Sequence, residues 1–248
     1  MPGSKAHDDR RDDPRPPRSG TGGAPGLSAL HAIVPLRSLA GGKARLGEAL
    51  DAEEREELLL GMFRQTVSLL RAWEACASVH VVSTDRRVLD LAETCGAIPL
   101  HQFGEGLNEA IALAVDAAID AGADAVVILP ADLPLLASSS LDRLLDAADA
   151  ALAAGSGRPL VLIAPSDARY GTNGLLLSPP DVIAPSFGAM SFEAHVRAAA
   201  TADATLQVVT DPGLGFDLDT PEDLEILQPE LISRLLELGR DAVEAGRT

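Results

Sequence analysis

The chain has 248 residues, 46% of them hydrophobic, which is enough to bury the core of one enzyme-sized α/β domain. Its 37 acidic residues against 20 basic ones give a formal net charge of -17, which argues against binding to nucleic acid or anionic membranes, since both need clustered Lys and Arg. A small phosphorylated substrate is compatible with this charge, because a few local cations and a divalent metal can neutralise it.

The first 26 residues, MPGSKAHDDRRDDPRPPRSGTGGAPG, contain almost no large apolar side chain and many Pro, Gly and charged residues. Such a segment buries too little apolar surface to offset the entropy lost on ordering. We therefore predict a disordered tail over residues 1–26 and a single domain over residues 27–248. The start has no apolar signal region and no run of about 18 apolar residues follows, so a cytoplasmic protein is expected.

After the tail, short apolar runs alternate with segments of helical period. The predicted strands are 29–34, 79–83, 97–100, 125–129, 160–164, 174–177 and 206–209. The predicted helices are 52–73, 86–94, 108–121, 140–153, 191–200, 221–228 and 229–245. This alternation predicts an α/β fold with a mostly parallel sheet covered on both faces, which binds ligands at the carboxyl ends of its strands.

The loop after the first predicted strand, VPLRSLAGGKARL, is both basic and glycine-rich. Arg37, Lys43 and Arg45 supply cations, while Gly41 and Gly42 let the backbone approach a ligand closely. This combination is typical of a nucleoside triphosphate site, although the loop is neither a Walker A loop nor a dinucleotide-binding loop. An ordinary basic surface turn is the alternative.

Three aspartates are candidate metal ligands. Asp132 follows an apolar strand in LPADLPLL, where folds of this class bind substrates. In FDLDTPEDL, Asp217 and Asp219 point to the same side if the segment is extended, so they could share magnesium with Asp132. Turn or helix-cap aspartates are the alternative interpretation.

Two segments between these carboxylates carry neutral hydrogen-bonding groups. Thr172 and Asn173 lie in GTNGLL, whereas Gly188 and Ser191 lie in FGAMSFEAHV. Their hydroxyl, amide and backbone N–H groups suit a phosphate or a carboxylate. Ser191 is alternatively a plain helix cap, and His195 on the same helical face is more often a packed or solvated histidine than a general base.

The tripeptide GLN precedes the Ala-rich helix predicted over 108–121. Asn108 is either the N-cap of this helix or, together with Gly106, a contact to a nucleotide. The spacing alone leaves both interpretations open.

Six segments, taken in order, resemble the 2-phospho-L-lactate and phosphoenolpyruvate guanylyltransferase family of coenzyme F420 biosynthesis, over residues 29–227. They are VPLRSLAGGKARL, GLN, LPADLPLL, GTNGLL, FGAMSFEAHV and DLDTPEDL. Single pieces also look like molybdopterin and sugar-phosphate nucleotidyltransferases, whereas the ordered set is specific. The resemblance implies a Rossmann-like, GT-A-like nucleotidyltransferase fold built as a three-layer sandwich. It also implies GTP as a substrate and Mg²⁺ as the cofactor.

Motif and resemblance together predict a role for each of these residues. The predicted metal ligands are Asp132, Asp217 and Asp219. The predicted contacts to the acid substrate are Thr172, Asn173, Gly188 and Ser191. The predicted nucleotide contacts are Leu36, Arg37, Gly41, Gly42, Lys43, Gly106 and Asn108, and the groups expected nearest the reaction are Lys43, Arg45 and Asp132.

The expected reaction is an in-line displacement, in which the phosphate of a three-carbon acid attacks the α-phosphorus of GTP. A phosphate is already ionised near neutral pH, so positioning and charge neutralisation suffice and no general base is needed. The next enzyme of the pathway is a candidate protein partner. A molybdopterin- or sugar-phosphate nucleotidyltransferase and a noncatalytic nucleotide-binding protein are the rival interpretations, and the sequence leaves open which acid is used and the oligomeric state.

Overall fold

The computed structural model describes residues 27–39, 43–104, 106–167 and 170–245. The predicted tail, 1–26, and the glycine pair Gly41 and Gly42 lie outside these ranges. Across the described ranges, no helix is both long and apolar enough to span a membrane.

The described residues form seven strands and eight α-helices. The strands are β1 (Leu30–Pro35), β2 (Cys76–Ser83), β3 (Ile98–His101), β4 (Ala125–Ile128), β5 (Leu160–Pro165), β6 (Thr172–Ser178) and β7 (Thr205–Val208). The helices are α1 (Ala52–Ala72), α2 (Arg86–Thr94), α3 (Leu107–Asp120), α4 (Ser138–Ala154), α5 (Ser191–Thr201), α6 (Pro212–Gly215), α7 (Pro221–Ile226) and α8 (Pro229–Ala245). A 3-10 helix, Ala44–Glu48, precedes α1. Every predicted strand and helix is present, with ends displaced by at most three residues, whereas α6 and the 3-10 helix were not predicted.

The strands form one sheet in the order β3-β2-β1-β4-β6-β5-β7. All strands are parallel except β6, which runs antiparallel to its neighbours β4 and β5. Helices α1, α2, α4 and α8 pack on one face, and α3 and α5 pack on the other. The predicted α/β class and mostly parallel sheet are therefore confirmed, and the helices on both faces complete three layers.

Alternation along the strands explains why both faces are covered. In β1, Leu30, Ala32 and Val34 are buried against one helical layer, while Ile33 is buried against the other. Successive side chains of a strand point to opposite faces, so an all-apolar strand needs a helix on each side.

Helix α1 is fixed at its start and along its length. Asp51 accepts hydrogen bonds from the first turn and its own N–H donates to Glu54 Oε2 at 2.9 Å, which together form a capping box. Further along, a Cβ on Gly61 would collide with the carbonyl group of Leu235, and one on Gly239 would collide with α1. The two glycines therefore let α1 and α8 cross with their backbones in close contact.

Because β6 runs antiparallel to β4 and β5, its first residues lie beside the last residues of those strands. Leu175 of β6 pairs with Ile128, the last residue of β4, and Thr172 pairs with Pro165, the last residue of β5. Thr172 and Asn173 therefore lie at the carboxyl edge of the parallel strands, where the chain carrying Asp132 leaves β4.

Candidate active site

A cleft of about 400 Å³ opens where β1 and β4 end. Its wall carries six of the residues predicted to bind nucleotide or metal or to lie nearest the reaction, namely Leu36, Arg37, Lys43, Arg45, Asp132 and Asp219. A smaller and more apolar cavity of about 190 Å³ shares Leu36, Arg37 and Asp132 and is also lined by Leu107 and Phe187. The structure thus brings the basic loop and two of the three carboxylates to one place.

Lys43 lies between two of the predicted metal ligands. Its Nζ is 2.6 Å from Asp132 Oδ2 and 2.6 Å from Asp219 Oδ1, and its side chain is only 8% exposed. Burial disfavours the charged amine, but the two carboxylates more than offset this, so the pKa of Lys43 lies above its usual value. The ammonium group therefore offsets one of the two negative charges. The sequence predicted that Lys43 faces a triphosphate, but gave no sign of this pairing.

A backbone hydrogen bond joins the loop after β4 to the segment that carries Asp217 and Asp219. The N–H of Leu218 donates to the carbonyl oxygen of Asp132 at 3.2 Å. On the side chain of Asp132, Oδ1 is buried and has no hydrogen-bond partner among the described residues. A buried carboxylate oxygen without a donor is costly, so this atom is suited to binding a cation or a ligand N–H or O–H group.

Asp217 is oriented by Asn173. The side-chain amide of Asn173 donates to Asp217 Oδ1 at 3.1 Å and to the carbonyl oxygen of Gly215 at 3.0 Å. Burial raises the pKa of Asp217, and the nearby charges of Asp132 and Asp219 raise it further, while the Asn173 hydrogen bond opposes the shift. The three predicted metal ligands therefore interact electrostatically. Both hydrogen bonds that the Asn173 amide donates go to acceptors within the protein.

His195 anchors the other side of the site. It is fully buried, its Nδ1 lies 3.0 Å from Thr172 Oγ1, and its Nε2 accepts the backbone N–H of Ser186 at 3.0 Å. The ring of Phe187 packs edge-on against it, with centroids 5.2 Å apart. Burial lowers the pKa of His195 to about 4, so the imidazole is neutral at pH 7. The interpretation of His195 as a packed histidine is confirmed.

A family model described as guanylyl transferase CofC like matches residues 30–229. The chain belongs to this family. It is 42% identical over 200 residues to the phosphoenolpyruvate guanylyltransferase of Rubrobacter xylanophilus, covering 81% of this chain and 94% of that protein. It is 34% identical over 194 residues to the 2-phospho-L-lactate guanylyltransferase of Methanothermobacter thermautotrophicus, covering 78% of this chain and 81% of that protein. The resemblance inferred from the motifs is therefore confirmed, and the protein is a nucleotidyltransferase of the guanylyltransferase type.

The fold of this CofC-like protein also matches solved structures. A putative nucleotide-diphospho-sugar transferase from Desulfovibrio desulfuricans G20 superposes with a TM-score of 0.66, covering 86% of this chain and 97% of that chain. The two sequences are only 19% identical, so the match concerns the fold alone. It confirms the predicted Rossmann-like nucleotidyltransferase architecture.

In this CofC-like transferase, Asn108 holds a loop rather than capping a helix. Its amide nitrogen donates to the carbonyl oxygen of Phe187 at 3.0 Å, and its amide oxygen accepts the Phe187 N–H at 2.7 Å. The N-cap of α3 is Gly106, whose carbonyl oxygen accepts a hydrogen bond from Gln102. The capping interpretation of Asn108 was therefore wrong, while a nucleotide contact through Gly106 or Asn108 stays a prediction.

Gly188 lies in the loop that Asn108 holds, and Ser191 begins the helix that follows it. Gly188 has φ +124°, which L side chains rarely adopt, and its carbonyl oxygen accepts the N–H of Ser191 at 3.2 Å. Ser191 is buried and is the first residue of α5, whose N-cap is Met190. The capping interpretation of Ser191 was therefore wrong as well. Contacts from Gly188 and Ser191 to an acid substrate stay a prediction.

The carboxylates of this CofC-like protein fit an incomplete magnesium site. In the described part of the chain, no three Asp, Glu, His or Cys side chains converge as a ready-made metal site. Mg²⁺, however, is commonly bound through one or two carboxylates together with water and substrate phosphate. Asp132 and Asp219 each have one oxygen paired with Lys43, and the second oxygen of Asp132 is buried and unpartnered among the described residues. That oxygen and the negative charge around Asp217 suit such an arrangement.

Proposed function

We propose that this CofC-like guanylyl transferase transfers GMP from GTP to a small phosphorylated three-carbon acid and releases pyrophosphate, in the biosynthesis of coenzyme F420. The observation that carries the proposal is the cluster of Lys43, Asp132 and Asp219 on the wall of the 400 Å³ cleft, with Asp217 held beside it by Asn173. Phosphoenolpyruvate and 2-phospho-L-lactate are the proposed acids, because the relatives at 42% and 34% identity are named for them.

The nucleotide is proposed to lie in the cleft with its phosphates near the basic loop. Arg37, Lys43 and Arg45 all line that cleft and would attract the triphosphate. The apolar cavity next to it, with Leu107 and Phe187 in its wall, would receive flat or apolar parts of a ligand. The acid would lie on the other side of the carboxylates, near Thr172 and the loop that contains Gly188 and Ser191.

The reaction is an in-line exchange at phosphorus. An oxygen of the acid's phosphate forms a bond to the α-phosphorus of GTP, and the bond from that phosphorus to the bridging oxygen breaks, so pyrophosphate leaves with the electron pair. No proton has to be removed, because the attacking phosphate is already ionised near neutral pH. This agrees with a neutral His195 whose two ring nitrogens are both engaged.

Charge neutralisation is the main task proposed for the side chains. Asp132 and Asp217 would hold Mg²⁺, which when bound would supply charge stabilisation to the phosphate oxygens. Lys43, already at the carboxylates, would offer its ammonium group to phosphate oxygens arriving in the cleft.

The proposed location is the cytoplasm, where GTP and phosphorylated acids occur, and the proposed protein partner is the enzyme that consumes the product.

The test is a pyrophosphate-release assay with GTP, ATP or CTP against phosphoenolpyruvate, 2-phospho-L-lactate and 3-phosphoglycerate, with and without Mg²⁺. We expect turnover with GTP and one or more of these acids, and none when Mg²⁺ is chelated. The Asp132→Asn variant serves as the matched inactive control, and coupling to the next pathway enzyme traps a labile product. Turnover with a molybdopterin or sugar phosphate but with none of the three acids would overturn the proposal.

A further inference from the structure

The hydrogen-bonded chain from Ser186 through His195 to Thr172 has proton positions that can be assigned. A backbone N–H can only donate, so His195 Nε2, which receives the Ser186 N–H at 3.0 Å, carries a lone pair. A neutral imidazole has one protonated nitrogen, which must then be Nδ1. Nδ1 lies 3.0 Å from Thr172 Oγ1 and donates its hydrogen to that oxygen.

This assignment fixes the role of the Thr172 hydroxyl. The oxygen accepts from His195, so the hydroxyl hydrogen is left for another partner. Within the parts of the chain that the structure describes, the Thr172 side chain makes no second hydrogen bond. Thr172 is the first residue of β6 and directly precedes Asn173, which holds Asp217. A donor is therefore available at the carboxyl edge of the sheet, one residue before the Asn173 that orients Asp217.

The opposite tautomer would reverse this arrangement. With Nδ1 unprotonated, the Thr172 hydroxyl would donate to His195 and would turn only lone pairs toward a ligand. Lone pairs repel the oxygens of an anionic ligand, whereas a donor binds them, and hydrogen bonds to charged oxygens are the stronger kind. The Ser186 N–H thus decides, through His195, whether Thr172 attracts or repels an anion.

We propose that His195 is a positioning residue, which as the neutral Nδ1–H tautomer makes the Thr172 hydroxyl a donor to a carboxylate or phosphate oxygen of the acid substrate. The inference rests on the proposed function, since it concerns how the acid is bound. His195 is not a general base in this arrangement, because Ser186 and Thr172 occupy both of its nitrogens. Phe187 packs on the ring and keeps it in the buried orientation that both bonds need.

Two amide variants separate the two bonds of His195. In His195→Asn the amide nitrogen takes the place of Nδ1, so it can donate to Thr172 but cannot reach Ser186. In His195→Gln the amide oxygen takes the place of Nε2, so it can accept from Ser186 but no longer donates to Thr172. Thr172→Val, which removes the hydroxyl at nearly constant shape, is the matched control.

The readout is the KM for the acid compared with the KM for GTP. We expect His195→Gln and Thr172→Val to raise the KM of the acid about tenfold with little change for GTP, as for the loss of one charge-assisted hydrogen bond. His195→Asn should retain a KM close to that of the wild type, and the double variant His195→Gln, Thr172→Val should be no worse than either single one. Equal effects on both substrates, or additive effects in the double variant, would overturn the proposal.

A measurement on the unmodified protein keeps the test independent of variant folding and of turnover. Nitrogen-15 NMR of the imidazole distinguishes the two tautomers, and we expect the Nδ1–H form of His195 at pH 7. An Nε2–H form would overturn the proposal even if the enzyme is active. If the wild-type protein turns over none of the three acids while the NMR shows Nδ1–H, the proposed function fails and the hydrogen-bond assignment stands.

Discussion

Replacing Lys43 with Met should destabilise the protein when no divalent metal is present. The change keeps most of the apolar stem but removes the ammonium group from two carboxylates at 2.6 Å. The Asp132 side chain is 27% exposed, so its charge-assisted bond contributes about 1.5–2 kcal/mol. The Asp219 side chain is 45% exposed, and screening by solvent limits its share to about 1 kcal/mol or less.

The two contributions together are roughly 2–3 kcal/mol, which for a domain of this size lowers Tm by about 5–10 °C. The assay is a thermal melt in chelator, repeated across a magnesium titration. Removing the ammonium leaves the negative charge of Asp132, Asp217 and Asp219 unopposed, so Mg²⁺ should raise the Tm of Lys43→Met more than that of the wild type.

The matched control is Arg86→Met, which removes the same charge from an exposed pair with Asp90 and should cost at most about 0.5 kcal/mol. Two results would refute the reasoning. One is a Lys43→Met variant as stable in chelator as Arg86→Met. The other is a magnesium-induced rise in Tm that is the same in Lys43→Met and in the wild type, since the ammonium would then not compete with a cation for the carboxylates.

Three further predictions concern the carboxylate of Asp132, stability in acid and the residues before the domain. Asp132→Asn should lower turnover by about two orders of magnitude or more and should lower the Tm by no more than Lys43→Met does, because it weakens only one of the two carboxylate contacts of Lys43. Steady-state rates and thermal melts check the two effects, and normal turnover would count against a metal-binding role. Burial lowers the pKa of His80 and of His195 to about 4, below the unfolded value of 6.5. The stability that each histidine contributes is therefore complete above pH 6.5 and is lost as the pH falls toward 4. Urea unfolding should show a loss of about 2 kcal/mol for each histidine between pH 7 and pH 5, and His195→Gln should make that dependence shallower; an unchanged slope would contradict the assignment. A chain that begins at residue 27 should keep the Tm and turnover of the full chain, because the removed segment has almost no apolar surface; a large loss of either would show that it packs on the domain.

Local signals in the sequence were enough to predict most of the fold. Short apolar runs, helical periodicity and the Asp51 capping box are all encoded within a few residues, and the strands and helices they specify are present. Helix α6 was missed because PGLG is a poor helix sequence. Asp211 followed by Pro212 was the available signal, since the Asp211 side chain caps the Gly213 N–H and Pro is favoured at the first helical position.

The candidate site was predictable in its residue types but not in its pairings. Lys43 and Asp132 are both recognisable as functional from their own segments, but their contact joins residues 89 positions apart. The hydrogen bonds between the Asn108 side chain and the Phe187 backbone join residues 79 positions apart. The sequence around Asn108 indicated a helix cap instead. Such pairings depend on the strand order of the sheet, and above all on the direction of β6, which no local pattern specifies.

The reversed direction of β6 has a consequence for how substrate choice is encoded. Because β6 starts at the carboxyl edge, Thr172, Gly188, Ser191 and His195 all lie on one continuous stretch of about two dozen residues that leaves and returns to the same edge. The basic loop after β1 is on the far side of β4 in the sheet order. The segment proposed to recognise the acid is therefore continuous in the chain and separate from the segment proposed to face the triphosphate. On that proposal, a change from one acid to another needs recombination at only two junctions.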